Sequence, residues 1–397
     1  MTKLLMACDE FIYSHNGQYY AANQEKMDLF LRYLRVFDYL RLVCRCEPEK
    51  NLKKNRVPLN SEPCIEYVPI PIFHGPKEYA KAYFSVGRAM NDIVEGCNAA
   101  ILRIPSTVAL RVGKQLIKNK VPFACEVVFD AEDSWRGSTG LSRMVWKHID
   151  RQMRKMCAKA DGVSCVTEHY LQQHYYPIKS NSFTSHYSSL ALPQSFYSTP
   201  KHFPSGKQIV VAHTASPIEY NGRKGHIEVV KAIAILNKRG IDIKVQFAGN
   251  SKSGGIDKLK AFAEEQGIVD KVEFVGFLNR GEISRFLESA DMYVMPTRAE
   301  GLPRVIIEAI AKGLPCITTP VSGNPELVDA HFLVPYEDTQ LLADRIEELI
   351  SNSELYEQTS RTNFERSKKY EASLLQKRRD EFYLKLKEKV KIYPFDK

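Results

Sequence analysis

The feature that most constrains this 397-residue chain is an alternation that occurs twice. A short apolar run, a turn and an amphipathic helical stretch follow one another along most of the sequence. Apolar runs at 3–8, 39–46, 64–68, 99–104, 123–129 and 162–166 read as strands. Helical periodicity appears from about Ala21 and over 76–95, 107–120 and 141–160. Strands alternating with helices imply parallel βαβ units. The pattern stops at 192–207, LPQSFYSTPKHFPSGK, where three prolines and no period suggest a linker. It then restarts, with strands at 208–213, 242–248, 272–275, 292–295 and 316–319 and helices at 224–239, 256–266, 281–289 and 303–312. The expectation is α/β throughout. Residues 1–195 and 205–365 each form a doubly wound domain, and 366–397 form a charged helical tail. The tail's apolar stripe (Tyr370, Leu374, Leu375, Tyr383, Leu386) suits packing back onto a domain, the N-terminal one among them. In such sheets ligands bind beyond the carboxyl ends of the strands, and in a tandem pair also in a cleft between the halves.

Composition narrows the class. Hydrophobic residues at 44% and charged residues at 26% are the balance of a folded domain, not of a disordered chain. No apolar run is long enough to span a bilayer, and the first residues lack the apolar core and cleavage site of a secretory signal. The nine cysteines are scattered and mostly inside apolar runs, which suits reduced thiols and a cytoplasmic setting. The Cys44/Cys46 pair lies on one strand face with no His or Cys set to complete a zinc site. The net charge of +9 is lopsided: residues 1–200 hold 26 Lys and Arg against 19 Asp and Glu, and 201–397 hold 30 against 28. An excess of this size with no recognisable module disfavours a nucleic-acid partner. The stretch 141–160 places Arg143, Lys147, Arg151 and Lys155 at helical spacing, a face suited to anionic lipid at a membrane's inner surface.

The informative stretch is 296–327, PTRAEGLPRVIIEAIAKGLPCITTPVSGNPEL. A strand ends near Met295, and Pro303 stands where the first position of a helix tolerates proline. The start of that helix presents backbone N–H groups and partial positive charge, and Gly301 lets a ligand approach: a phosphate site. Glu308 lies five residues beyond Pro303, about 7.5 Å along the axis. A carboxylate there can accept both hydroxyls of a ribose diol. Neither Glu300 nor Glu308 suits phosphate, so Glu300 is matched to a sugar's hydroxyls and Glu308 to the ribose. Val305, Ile306, Ile307, Ala309, Ile310 and Ala311 make the helix apolar on most sides, so a Glu inside it needs partners.

These residues carry a resemblance. Glu-x7-Glu, with Gly-Leu-Pro-Arg after the first Glu and Gly-Leu-Pro beyond the helix, resembles the donor-site signature of glycosyltransferase family 4. The resemblance covers most of the C-terminal half. It implies a GT-B fold of two Rossmann-like domains facing a cleft, and a retaining, hexosyltransferase-type reaction that takes a nucleotide-diphosphate sugar, UDP or GDP, as donor substrate rather than a cofactor. Asn221-Gly222-Arg223-Lys224-Gly225 resembles the family's Lys-Gly element, which implies that Lys224 meets the diphosphate. Phe247-Ala248-Gly249-Asn250 resembles the turn beneath the nucleotide, and Phe274-Val275-Gly276-Phe277-Leu278 the turn that reads the base. Leu302 and Arg304 belong to the Gly-Leu-Pro-Arg element. The arginine usual after the first strand of this half is missing from His213-Thr214-Ala215-Ser216-Pro217, which leaves Arg223 or Arg304 as the second cation. The form EGLPR resembles enzymes of bacterial capsule, exopolysaccharide or lipopolysaccharide assembly, and implies a saccharide or lipid-linked saccharide acceptor.

The N-terminal half resembles the family far less. Gly17, in 13–18, stands where the family's glycine loop meets the donor. Arg103, Glu126 and Asp130 follow or interrupt apolar strands whose ends point at the cleft between the halves, so they are satisfiable as cleft groups and costly in a core. Arg103 and Asp130 are therefore candidates beside Glu300 and Lys224. No metal is expected, because a lysine and a helix terminus already supply positive charge. Two other classes stay open at this stage: a GT-B-like nucleotide-sugar epimerase and a non-catalytic nucleotide-sugar-binding scaffold.

Overall fold

The computed structural model describes residues 1–136, 138–206, 208–251 and 254–390. The chain forms two compact units, Met1–Tyr187 with Gln376–Lys397, and Ser188–Leu375. In the first unit, seven parallel strands are β1 (Lys3–His15), β2 (Tyr39–Pro48), β3 (Ile65–Pro71), β4 (Ala99–Ile104), β5 (Phe123–Val127), β6 (Gly162–Cys165) and β7 (Phe183–His186). Their order is β3-β2-β1-β4-β5-β6-β7. β4 and β5 are buried at every residue, as strands covered on both faces must be. Helices α1 (Gly75–Ala89), α2 (Thr107–Lys118) and α3 (Gly140–Lys159) make the crossovers β3 to β4, β4 to β5 and β5 to β6. All three crossovers step the same way across the sheet, so right-handedness puts the three helices on one face.

β1 runs well past the expected 3–8. Its second half pairs with the antiparallel strand Gln18–Ala21, and His15 lies opposite Gln18. Asn16 and Gly17, at φ 48° and 76°, form the two-residue turn. Two positive φ values are what a tight hairpin with the sheet's twist demands, and Asn-Gly is its commonest sequence. Gly17 is thus a hairpin tip instead of a strand-to-helix loop.

The second unit is a five-stranded parallel sheet: β8 (Ile209–Thr214), β9 (Ile243–Ala248), β10 (Val272–Gly276), β11 (Met292–Met295) and β12 (Cys316–Thr318), in the order β10-β9-β8-β11-β12. Two helices matter for the site, α4 (His226–Lys238) and α5 (Arg304–Ala311). Of the segment 192–207, the described residues 192–206 are held to this unit rather than hanging free, and 207 lies outside the described residues. Leu192 N–H donates to the Tyr370 carbonyl and Ser198 N–H to the Ala311 carbonyl. Of the expected tail 366–397, the described residues form the end of the helix Ser353–Ser367, a short turn and α6 (Ala372–Glu388), and 391–397 lie outside the described residues. Of its expected stripe, Tyr370, Leu375, Tyr383 and Leu386 are buried, together with Phe382. Leu374 is exposed, because within α6 it lies off the face that Leu375, Phe382 and Leu386 share. All nine cysteines are free thiols, six of them buried.

Candidate active site

The second sheet changes direction between β8 and β11, which are neighbours although first and fourth in sequence. The loops leaving their carboxyl ends therefore diverge and leave a crevice, the usual ligand position in such sheets. Lys224 stands at the end of the β8 loop and Glu300 in the β11 loop. The structure joins them: the Lys224 ammonium pairs with Glu300 Oε1, and Thr297 Oγ1 donates to the same oxygen at 2.9 Å. Glu300 is buried and Lys224 about one-fifth exposed, so the cation lies on the solvent side of the carboxylate.

Backbone geometry explains the glycine after Lys224. Gly225 caps α4 at φ +70°, and a Cβ on it would lie 1.9 Å from the Pro296 carbonyl oxygen. Only glycine lets the two loops touch there. Lys224 thus precedes the helix instead of opening it. Arg298 N–H donates to the Arg223 carbonyl at 3.0 Å and ties the loops again. The Tyr336 hydroxyl contacts the carbonyl of Gly222, two residues before Lys224, at 3.1 Å and Glu228 Oε2 at 3.0 Å.

α5 begins at Arg304, with Pro303 as its N-cap, one position earlier than the proline was placed from sequence. The 296–303 loop is held from behind. The Gly301 carbonyl accepts from Gly323 N–H and Ser322 Oγ, both at 2.9 Å. Thr319 Oγ1 accepts from Thr297 N–H and donates to the Thr297 carbonyl. Within α5 every residue from Ile306 to Ala311 is buried, Glu308 included. Leu302 is buried, whereas Arg304 and Arg223 are exposed at the loop margins. At the neighbouring strand ends, Gly249 has φ +151°, and a Cβ there would lie 1.9 Å from the Ala215 carbonyl oxygen. Gly249 N–H reaches the Gly276 carbonyl, and Ile218 N–H the carbonyl of Asn250. Asn250 and Phe277 are exposed and Leu278 half-buried at this rim.

Beneath Lys224 lie two buried histidines, His213 and His226, with ring centroids 4.7 Å apart. Burial, together with the neighbouring His226, keeps the His213 pKa well below the usual value. Burial and then Lys224 lower that of His226 to about 4. Both rings are therefore neutral at pH 7, beneath the positive charge of the lysine.

In the first unit Arg103 and Asp130 stand in separate clusters. Arg103 is placed in the core, where the sequence reading made a charge costly. Its Nη1 lies 2.8 Å from Glu126 Oε2, which also accepts from Arg32 at 3.1 Å and the Tyr33 hydroxyl at 2.9 Å. The Tyr187 and Tyr383 hydroxyls donate to Glu126 Oε1 at 3.0 and 2.8 Å. Burial alone would raise the Glu126 pKa, but Arg32 and Arg103, with the phenol donors, outweigh it and hold it at about 2. A core position for these charges is costly only without partners, and here each is the other's partner. Asp130 is fully buried beyond β5, and its Oδ1 accepts from Glu132 N–H and lies 3.1 Å from the Tyr175 hydroxyl. That hydroxyl also lies 2.8 Å from Asp150, so one proton serves two carboxylates. Burial, the leading cause, raises the Asp130 pKa.

Sequence reasoning missed Thr297, Tyr336 and the Ser322/Thr319 brace. Thr297 adjoins the recognised motif and could have been found there. Tyr336 lies more than a hundred residues from Lys224, with no local signal.

Residues 213–366 match the model of the family described as glycosyl transferases group 1. Along nearly all its length the chain is similar to protein CapJ of Staphylococcus aureus, with 23% identity over 390 residues, 97% of this chain and 96% of that one. A shorter alignment, 28% identical over 144 residues, joins 31% of this chain to 36% of the putative colanic acid biosynthesis glycosyltransferase WcaL of Salmonella typhimurium. Among solved structures, sucrose-phosphate synthase of Thermosynechococcus elongatus superposes with a TM-score of 0.71 at 15% identity, covering 98% of this chain and 100% of that one. Anabaena HepE, solved with UDP-glucose, gives 0.67 at 15% identity, again with 98% and 100% coverage. The fold is GT-B, and the protein is a glycosyltransferase. The residues that match the glycosyl transferases group 1 model lie in its second unit.

Proposed function

We propose that this glycosyltransferase is a retaining, hexosyltransferase-type enzyme. It moves a sugar from a nucleotide-diphosphate donor, UDP or GDP, to a saccharide or lipid-linked saccharide in cell-surface polysaccharide assembly. The observation that carries the reading is the Lys224–Glu300 pair across the direction change of the second sheet. A diphosphate arriving there offers Lys224 a stronger anion than a single carboxylate. The ammonium then turns to the departing diphosphate, which frees Glu300 to accept hydrogen bonds from sugar hydroxyls. The 301–304 backbone at the start of α5 holds phosphate, with Arg223 or Arg304 as second cation. Glu308, inside α5, accepts the ribose hydroxyls. Gly249, Asn250, Phe277 and Leu278 form the rim beside the nucleotide.

In the reaction the bond from the sugar's anomeric carbon to the diphosphate oxygen breaks. The diphosphate leaves with that electron pair, stabilised by Lys224, and its oxygen takes the proton of the incoming hydroxyl on the same face. The new glycosidic bond keeps the anomeric configuration. The protein chiefly positions groups and stabilises charge, which needs no metal. The similarity to CapJ and WcaL supports a capsule or exopolysaccharide setting. The basic side of α3, Arg143, Lys147, Arg151 and Lys155, supports work on the cytoplasmic side of a membrane that holds the acceptor.

The test is thermal stabilisation by UDP, GDP and ADP sugars, because a ligand of the folded state raises its stability. One nucleotide class is expected to stabilise the protein. Glu308→Ala is expected to weaken that nucleotide about tenfold to a hundredfold. Unchanged affinity would remove Glu308 from the ribose.

A further inference from the structure

The positive charge of this protein is concentrated in one layer. α1, α2 and α3 hold twelve Lys and Arg against two Asp and Glu, a net +10. The rest of the chain carries 44 against 45, so this layer accounts for the whole excess. The helices pack side by side. The Arg111 guanidinium of α2 lies against Gly87 of α1 and donates to the Tyr83 carbonyl at 3.1 Å. Gly113 of α2 admits the Met156 thioether of α3, whose sulfur would lie 2.5 Å from a Cβ at that position. Ten of the twelve cations are exposed: Lys77, Lys81 and Arg88 on α1, Lys114 and Lys118 on α2, and five on α3. Of the two acids, Asp150 is buried and paired with Arg154, and Glu78 accepts the His74 N–H at the start of α1.

Apolar tips stand among these cations. Phe84 is 80% exposed on α1, next to Tyr83, and Met144 is 69% exposed on α3, near Leu141. Phe84 and Tyr83 stack edge to face at 5.7 Å, a compact aromatic projection. A nucleic-acid or polysaccharide polyanion would use the charge and leave these tips in water. An anionic bilayer uses both, with phosphates for the lysines and an acyl boundary for Phe84 and Met144.

We infer that the α1–α2–α3 layer is a docking surface for an anionic phospholipid bilayer, with Phe84 as the residue that enters the acyl boundary. This enlarges the single-helix contact on α3. It rests on the proposed function only for the reason a membrane is at hand. It also shifts weight away from α3, where Arg143 and Lys147 already lie over the Trp135 ring.

The test is flotation of the full chain with vesicles of phosphatidylglycerol and phosphatidylcholine, and with phosphatidylcholine alone. Binding is expected only with the anionic vesicles and is expected to weaken with salt. Neutralising Lys114, Lys118, Arg151 and Lys155 together with Gln is expected to lower affinity several hundredfold, at about fivefold per residue. Phe84→Ser is expected to lower it about tenfold. All five side chains are exposed, and an unfolding midpoint equal to the parent's confirms that the variants fold. No binding to anionic vesicles overturns the inference. So does equal binding to both vesicle types, or binding of duplex DNA as tight as that of vesicles with no effect of Phe84→Ser. Nucleotide stabilisation is read in parallel. A chain stabilised by a sugar nucleotide but not floated overturns the surface alone. A chain floated but stabilised by no nucleotide supports the surface and overturns the donor reading.

Discussion

Glu126 in the first unit and Glu300 in the second are both buried carboxylates, and they are held in opposite ways. Glu126 takes five donors, Arg32, Arg103, Tyr33, Tyr187 and Tyr383, from four separate stretches of chain. Each oxygen has at least two of them, and a ligand could enter only by displacing the fold's own groups. Glu300 takes Thr297 and a lysine, both on one oxygen, and the lysine lies toward solvent on a flexible stem. A carboxylate saturated by rigid donors ties a fold together, and α6 reaches the first unit's core through Tyr383 for this reason. A carboxylate held by one mobile cation can exchange that cation for substrate. A buried charge is therefore read by what its partners can do next.

The comparison can be broken by mutation. Glu126→Gln leaves Arg32 and Arg103 buried without a counter-charge, and a loss of about 3–5 kcal/mol is expected in denaturant unfolding. A much smaller loss would mean that water reaches the cluster. Lys224→Ala should barely move that stability, yet lower turnover about a hundredfold to a thousandfold, because the departing diphosphate loses its cation. Comparable damage to folding would make the pair structural.

Acid sharpens the contrast. Glu126 has its folded pKa lowered from 4.5 to about 2, so its stabilisation is complete above about pH 4.5 and is lost as pH falls toward 2. His226 is lowered from 6.5 to about 4 and is buried neutral. The unfolded chain takes up that proton first, so stability is expected to fall by up to about 3 kcal/mol between pH 6.5 and 4. His213 is held neutral in the same way, so His226→Gln should shrink this earlier phase without abolishing it and leave the later one, read from unfolding midpoints across pH. The smallest effect is expected from Tyr336→Phe. Losing the hydroxyl that braces Gly222 and Glu228 should cost about 1 kcal/mol, seen as a severalfold loss of kcat/KM with little change in unfolding.

Much of this molecule is legible in one dimension. The sheet of the second unit follows from apolar runs separated by helical periods, and Met292–Met295 appears with the bounds its sequence suggests. Ala99–Ile104 does so in the first unit. The glycine before α4, the proline before α5 and the glutamate inside it are read locally, since capping, φ and helix burial are local properties. The Asn16-Gly17 hairpin was equally local, but the glycine carried more weight than the dipeptide. β7 was missed because Phe183–His186 is short, polar in part and recognisable only by pairing with β6. Prolines in 192–206 report a lack of regular structure, not a lack of contacts, so the linker reading could not show that Leu192 and Ser198 bind back to the second unit.

The sequence by itself determined the two α/β units and the family motif, because periodicity and backbone conformation depend on residues within a few positions of one another. Tertiary structure alone decided which charge partners which. It set Arg103 on Glu126 in a core, Lys224 on Glu300 across a change of strand order, Tyr336 behind the lysine loop, and three basic helices on one face. Those outcomes depend on strand order and crossover hand, which bring together residues that no sequence interval connects.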